Sequence, residues 1–132
     1  MFVYEKTVTL RDADAAGFLF FARHLEFAHE AYEVFLGSRG LGLTKLVRTV
    51  DFVVPVVHAE SDYRIPLWLG EKVTIHLKAE EIRSRRFTLA YDLHNEEGKV
   101  ACRVKTVHVA VDKKTGKSIP LPEMLVTALK GG

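Results

Sequence analysis

The chain has one cysteine, Cys102, and so no internal disulfide. A fold that does without that crosslink suits a reducing compartment, and a cytoplasmic location is the simplest expectation. No apolar run reaches the length that a bilayer crossing demands. The N-terminus, Met1-Phe2-Val3-Tyr4-Glu5-Lys6, lacks the basic and then apolar pattern of a secretory signal. The net charge of +2 is too small to make nucleic acid the default partner, and aromatics do not alternate with basic residues. There is no Gly-x-Ser-x-Gly turn to expose a serine nucleophile. The six histidines are scattered without ligand spacing, so no metal is implied, and nothing calls for a cofactor. Internal repeats, low-complexity segments and linkers are also missing, which leaves residues 1–132 as a single domain.

What is present is ordinary in bulk and specific in pattern. A chain of 132 residues with 48% hydrophobic and 27% charged residues suits one domain around one core. Residues 2–10 alternate: Phe2, Tyr4, Val8 and Leu10 share a face, which Lys6 interrupts. That period is a half-buried strand. From about Phe20 to Leu36, Phe21, Leu25, Ala28, Tyr32 and Phe35 recur at helical spacing, with Gly37 and Gly40 as stops. A short second helix is expected over 41–49. Pro55 keeps the apolar run Phe52 to Pro55 away from a central strand position. Strands are expected over 57–65, 73–79, 87–93 and 100–111, with a hairpin turn at Asn95-Glu96-Glu97-Gly98. In the last of these strands the apolar residues move from even positions (Val100, Cys102, Val104) to odd ones (Val107, Val109, Val111). The change of phase predicts a bulge or a strand covered on both faces. Glu123 to Leu129 closes the chain as a short helix. The order strand, long helix, four strands gives an α+β protein: an antiparallel sheet of about five strands whose apolar face only the long helix can cover.

The segment Arg11-Asp12-Ala13-Asp14-Ala15-Ala16-Gly17 joins the first strand to that helix. Carboxylates ahead of a helix start meet unpaired backbone N–H groups and the positive end of the dipole. Such a carboxylate can cap the helix or bind the Ala16 or Gly17 amide. It can also serve acyl transfer, as nucleophile or as base for water, while nearby amides polarise a carbonyl. Asp12 suits a structural role, holding the loop in an Asx-type turn. Gly17 permits a positive φ and close approach of a ligand to the backbone.

Asp-x-Asp-x-x-Gly, followed by Phe18, Leu19, Phe20, Phe21 and then His24, resembles the 4-hydroxybenzoyl-CoA thioesterase family of hot-dog-fold proteins. His29-Glu30-Ala31-Tyr32-Glu33 and Pro55-Val56-Val57-His58-Ala59 narrow the likeness to the 1,4-dihydroxy-2-naphthoyl-CoA thioesterases within it. The resemblance covers nearly the whole chain. It implies the hot-dog fold, an antiparallel sheet wrapped around one long central helix, and hydrolysis of an acyl-CoA thioester. It makes Asp14 the catalytic carboxylate, with a main-chain amide near Phe20 to Ala22 as the oxyanion donor. It also implies a homo-oligomer, a dimer or a dimer of dimers.

Around Asp14, an aromatic acyl pocket would suit Phe20, Phe21 and Phe52, each of which equally suits the core. His24 is placed to touch substrate or tune Asp14, or to bond a nearby backbone carbonyl. His58 opens a strand within reach of an acyl hydroxyl or carbonyl, or stands exposed on it. Arg83, Arg85 and Arg86 form a basic cluster suited to the phosphates of CoA, since guanidinium pairs with phosphate through two donors; the same cluster also reads as a solvated strand end. Two alternatives stay open: a thioesterase acting on carrier-protein-bound chains, and a non-catalytic ligand-binding hot-dog protein. Glu30 or Glu33 on the helix is the substitute base should Asp14 only shape the loop.

Overall fold

The computed structural model describes residues 1–131. Its elements run β1 (Phe2–Thr7), a 3-10 turn (Leu10–Asp12), α1 (Arg23–Ser38), α2 (Leu43–Arg48), β2 (Phe52–Val53) and β3 (Val56–Tyr63). They continue with β4 (Lys72–Ile82), β5 (Arg86–His94), β6 (Val100–Asp112), β7 (Ser118–Ile119) and α3 (Glu123–Lys130). The long strands lie side by side in the order β1-β4-β5-β6-β3, every pair antiparallel. The two-residue strands β2 and β7 add to the far end of β6. This is the expected α+β, hot-dog architecture, with the antiparallel sheet laid around α1. No helix among the described residues is long and apolar enough to cross a membrane.

Alternation decides which face is buried. Val73, Ile75 and Leu77 of β4, and Phe87, Leu89, Tyr91 and Leu93 of β5, point at α1 and are almost fully buried. Helix α1 answers with Phe27, Ala28, Ala31, Tyr32, Phe35 and Leu36. Burying each large apolar side chain contributes ~1.5–3 kcal/mol. Lys6, which broke the β1 pattern, does face inward. Its ammonium lies 2.8 Å from a Glu30 carboxylate oxygen on α1 and over the ring of Phe27, so its charge is paired rather than stranded.

Strand β6 carries a bulge, but not where the change of phase suggested. From Cys102 onward its buried face keeps one phase: Cys102, Val104, Thr106, His108 and Ala110 all face inward. Val107, Val109 and Val111 lie on the other face and are half-buried. The apparent phase change arose because Thr106 and His108 are polar yet sit in the core. The bulge of β6 lies at Ala101, where Leu93 pairs with Cys102 and His94 with Val100, and Val57 is an extra residue in β3 opposite Val107 and His108.

The N-terminal elements are shorter than the pattern suggested. Strand β1 ends at Thr7, and α1 begins at Arg23 rather than near Phe20. Residues between them are held by tertiary backbone bonds: the Leu19 amide donates to the Leu67 carbonyl (2.7 Å) and the Phe20 amide to the Asp12 carbonyl (2.8 Å). Those bonds take the Phe20 backbone away from the helix.

Candidate active site

The acidic loop folds back on itself before α1 starts. The Asp14 amide donates to the Phe18 carbonyl (2.8 Å) and the Gly17 amide to the Asp14 carbonyl (3.1 Å). Gly17 sits at φ +86°, the left-handed region that glycine enters without steric cost, and an added Cβ would meet no atom within 4 Å. The demand for glycine is therefore conformational. The Leu69 amide then donates to the Gly17 carbonyl (2.9 Å), stapling the loop to the β3–β4 connection.

Asp12 has the structural role expected of it, by a different contact, and Asp14 binds the Ala16 amide, one of the two readings open to it. Asp12 is the buried one; its Oδ2 accepts from the Thr9 hydroxyl (2.7 Å) and the Thr9 amide (3.0 Å). Those bonds, with Lys6 and Arg23 nearby, hold its carboxyl below the usual range against the opposing effect of burial. Asp14, not Asp12, makes the Asx-type turn: Oδ1 accepts from the amides of Ala16 (2.8 Å) and Phe18 (3.3 Å). Neither carboxylate caps α1, whose N-cap is Ala22 and carries no side-chain cap bond. Asp14 is exposed, and its Oδ2 has no partner among the described residues.

Asp14 lines an open groove of about 420 Å³ with Phe20, Phe21, His24, Tyr63 and Arg64 among its walls. Phe20 and Phe21 pack at 4.8 Å between ring centroids and stay partly exposed. His24, buried in the first turn of α1, sets Nδ1 3.1 Å from the Phe21 carbonyl oxygen. A carbonyl only accepts, so Nδ1 carries the proton and Nε2 is left as an acceptor. Burial holds the His24 imidazole below its usual pKa, disfavouring the charged form. The amides of Phe21 and Ala22 have no acceptor among the described residues. They lie at the positive end of α1, where a developing oxyanion is best stabilised.

Of the residues singled out by sequence, Asp14, Phe21 and His24 come together, and Gly17 shapes the loop behind them. Phe52 does not join them; it is buried and lines a separate cavity together with residues of α3. His58 is exposed on β3, 3.2 Å from Glu60, and roughly 16 Å along the strand from Tyr63 at ~3.3 Å per residue. Arg83, Arg85 and Arg86 sit at the β4–β5 turn, whereas the Asp14 loop follows β1, whose end pairs with Lys72 at the opposite end of β4. That strand of 11 residues separates them by about 30 Å within one chain. Arg83 pairs with Glu81, and Arg85 donates to the Ser118 carbonyl. Arg86 has no carboxylate partner among the described residues. Glu30 is held by Lys6 and Tyr4 outside the groove. The only thiol is out of play: Cys102 is buried in β6, and burial pushes its pKa up to about 12.

Tyr63 and Arg64 were not legible in the sequence as site residues. They close a strand, and only tertiary structure brings them to the N-terminus of α1. The Tyr63 hydroxyl donates to the Phe21 carbonyl at 2.6 Å across 42 positions of chain.

Residues 8–129 match the model of the thioesterase-like superfamily. The chain belongs to that family. A 1,4-dihydroxy-2-naphthoyl-CoA hydrolase of Gloeothece citriformis is 37% identical over 96% of this chain and 90% of its own length. The corresponding hydrolase of Synechocystis is 34% identical, over 97% and 94%. The crystal structure of a 1,4-dihydroxy-2-naphthoyl-CoA thioesterase from Synechocystis superposes with a TM-score of 0.90 at 34% identity, covering 97% of this chain and 94% of that one. A Staphylococcus aureus protein solved in complex with CoA, 22% identical with a TM-score of 0.91, shares the fold; 98% of this chain and 82% of that one are covered.

Proposed function

We propose that the protein hydrolyses an aromatic acyl-CoA thioester, with 1,4-dihydroxy-2-naphthoyl-CoA the first substrate to test. The observation that carries this reading is the groove at the start of α1. An unengaged carboxylate oxygen of Asp14, the unengaged amide of Phe21 and a pair of aromatic walls meet there. Asp14 Oδ2 attacks the thioester carbon, or takes a proton from a water that does. The carbonyl oxygen becomes an oxyanion, and the Phe21 amide is the donor best placed for it, since Phe21 lines the groove and the Phe20 amide is already spent on Asp12. The C–S bond then breaks and the electron pair leaves on the sulfur of CoA. A thiol of pKa about 8.5 leaves without strong acid help, which suits a site with no second carboxyl group. On the nucleophile route, water then cleaves the acyl–Asp14 anhydride.

The working unit is proposed to be a homo-oligomer built on β3. That strand pairs with β6 on one side, while Val56, Val57 and Tyr63 remain exposed and the Ser61 hydroxyl is buried without a partner among the described residues. A free edge of this kind favours antiparallel pairing with a second copy. The strand register supports a site shared between copies. Val56 lies opposite His108, and His108 opposite Phe87, so the start of β3 is at the Arg86 end of the sheet. Antiparallel pairing lays that end of one copy beside the Tyr63 end of the other. The basic cluster of one chain then approaches the Asp14 groove of its partner and becomes available to CoA phosphates, with His58 between them. A panel of aromatic and aliphatic acyl-CoAs, with detection of released thiol, tests the reading. Release from aryl thioesters well above background is expected, and no release from any member would contradict it.

A further inference from the structure

Two peptide planes flank Phe21, and both are pinned. In a trans peptide the C=O and N–H bonds point in opposite directions, so holding the carbonyl aims the amide of the next residue. The Phe20 carbonyl accepts from the Arg23 amide at 2.8 Å, which sets the direction of the Phe21 N–H. The Phe21 carbonyl is held twice, by the Tyr63 hydroxyl at 2.6 Å and by His24 Nδ1 at 3.1 Å, which sets the direction of the Ala22 N–H. The Tyr63 and His24 rings meet edge to face, 84° apart with centroids at 4.7 Å, so each donor is steadied by the other. Neither of the two amides governed by this arrangement has an acceptor among the described residues.

We propose that Tyr63 is a positioning residue for the oxyanion site: with His24 it anchors the Phe21 carbonyl, and so fixes the peptide run that presents the Phe21 and Ala22 amides to the thioester oxygen. The proposal rests on the hydrolytic reading given above. The reason for two donors on one carbonyl is local. Residues 21 and 22 precede the first regular turn of α1, and Ala22 offers no side-chain cap, so helix geometry alone does not hold them. A donor that swings loses value in the transition state, because its reorganisation is then paid during the reaction. Tyr63 comes from β3, the strand proposed to join two copies, so assembly would also stiffen this anchor.

The test is Tyr63→Phe, which removes one oxygen and keeps the ring on His24. Wild type, Tyr63→Phe, His24→Leu and Asp14→Asn are assayed on benzoyl-CoA and on the best aryl thioester of the panel. Tyr63→Phe is expected to lower kcat about tenfold to a hundredfold, less than the ~10²–10³ lost when an oxyanion donor is deleted outright, with KM within twofold of wild type. His24→Leu should show the same split. The ketone analogue of benzoyl-CoA, with CH2 in place of sulfur, should bind both enzymes. Its carbonyl stretch should be shifted to lower frequency less in Tyr63→Phe than in wild type. An unchanged kcat in Tyr63→Phe, beside an inactive Asp14→Asn, would overturn the positioning role and leave the hydrolytic reading standing. A raised KM with unchanged kcat would overturn it too, by making Tyr63 a substrate contact. A wild type inactive on every thioester would overturn both.

Discussion

The imidazole of His108 stacks on the ring of Phe87, 1° from parallel with centroids 4.7 Å apart. The residue is fully buried, and its Nε2 lies 2.8 Å from the Thr106 hydroxyl, which in turn lies 2.9 Å from the Tyr91 hydroxyl. Nδ1 is buried without a partner among the described residues. Protonating that nitrogen would place an unpaired N–H and a charge in the core, so burial, aided by the nearby His29, lowers the His108 pKa to about 4.

Stability should therefore depend on pH. The unfolded chain takes up a proton near the usual value of about 6.5, whereas the folded chain resists until about pH 4. The unfolded state thus binds more protons in between. The His108 contribution is complete above pH 6.5 and is lost as pH falls toward 4, at up to ~1.4 kcal/mol per unit. Urea unfolding between pH 7 and pH 4 should show this slope. His108→Gln, which keeps a donor for Thr106 and does not titrate, should flatten it. An equal slope in both proteins would remove His108 as the cause.

Gly17→Ala should cost ~1–2 kcal/mol, the penalty for an L side chain in the left-handed region. Space is not the constraint, since no atom lies within 4 Å of the added Cβ. Gly17→Asn, which tolerates that region, should recover part of the loss in Tm and in kcat. Equal damage from both substitutions would point to a steric role instead.

The large elements were legible because alternation and helical spacing are read locally. Strands β4 and β5 fall where period places them, and helix α1 does so from Arg23 onward. Strand β6 misled because Thr106 and His108 stand where apolar residues were expected, and a polar pair that bonds itself and Tyr91 is invisible to a hydropathy pattern. The Asp-x-Asp motif located the groove but not the division of labour within it. Only the folded loop shows Asp12 turned onto Thr9 and Asp14 left with a free oxygen. Tyr63 had no sequence signature, since its partner lies 42 residues away.

Replacing Arg83, Arg85 and Arg86 together with Ala should raise KM for acyl-CoA and leave kcat nearly unchanged, as expected for loss of uniform binding. A short acyl thioester without the nucleotide should be hydrolysed equally by both proteins. An equal loss on both substrates would exclude a phosphate contact. Where the cluster serves the neighbouring copy, mixing this variant with Asp14→Asn should restore part of the activity through hybrid dimers. Light scattering should give a mass of at least two chains. A fully active monomer would contradict the shared site.

Asp14→Asn tests the central claim most directly. The amide oxygen can still accept from Ala16 and Phe18, so the loop and the Tm should be kept. The substitution keeps the shape of the side chain and removes the carboxylate proposed to attack the thioester or activate water. Thiol release from the best aryl-CoA, measured at saturating substrate on the purified variant, should fall by at least about a thousandfold. Turnover near that of the wild type, from an equally folded protein, would show that Asp14 is not the catalytic group.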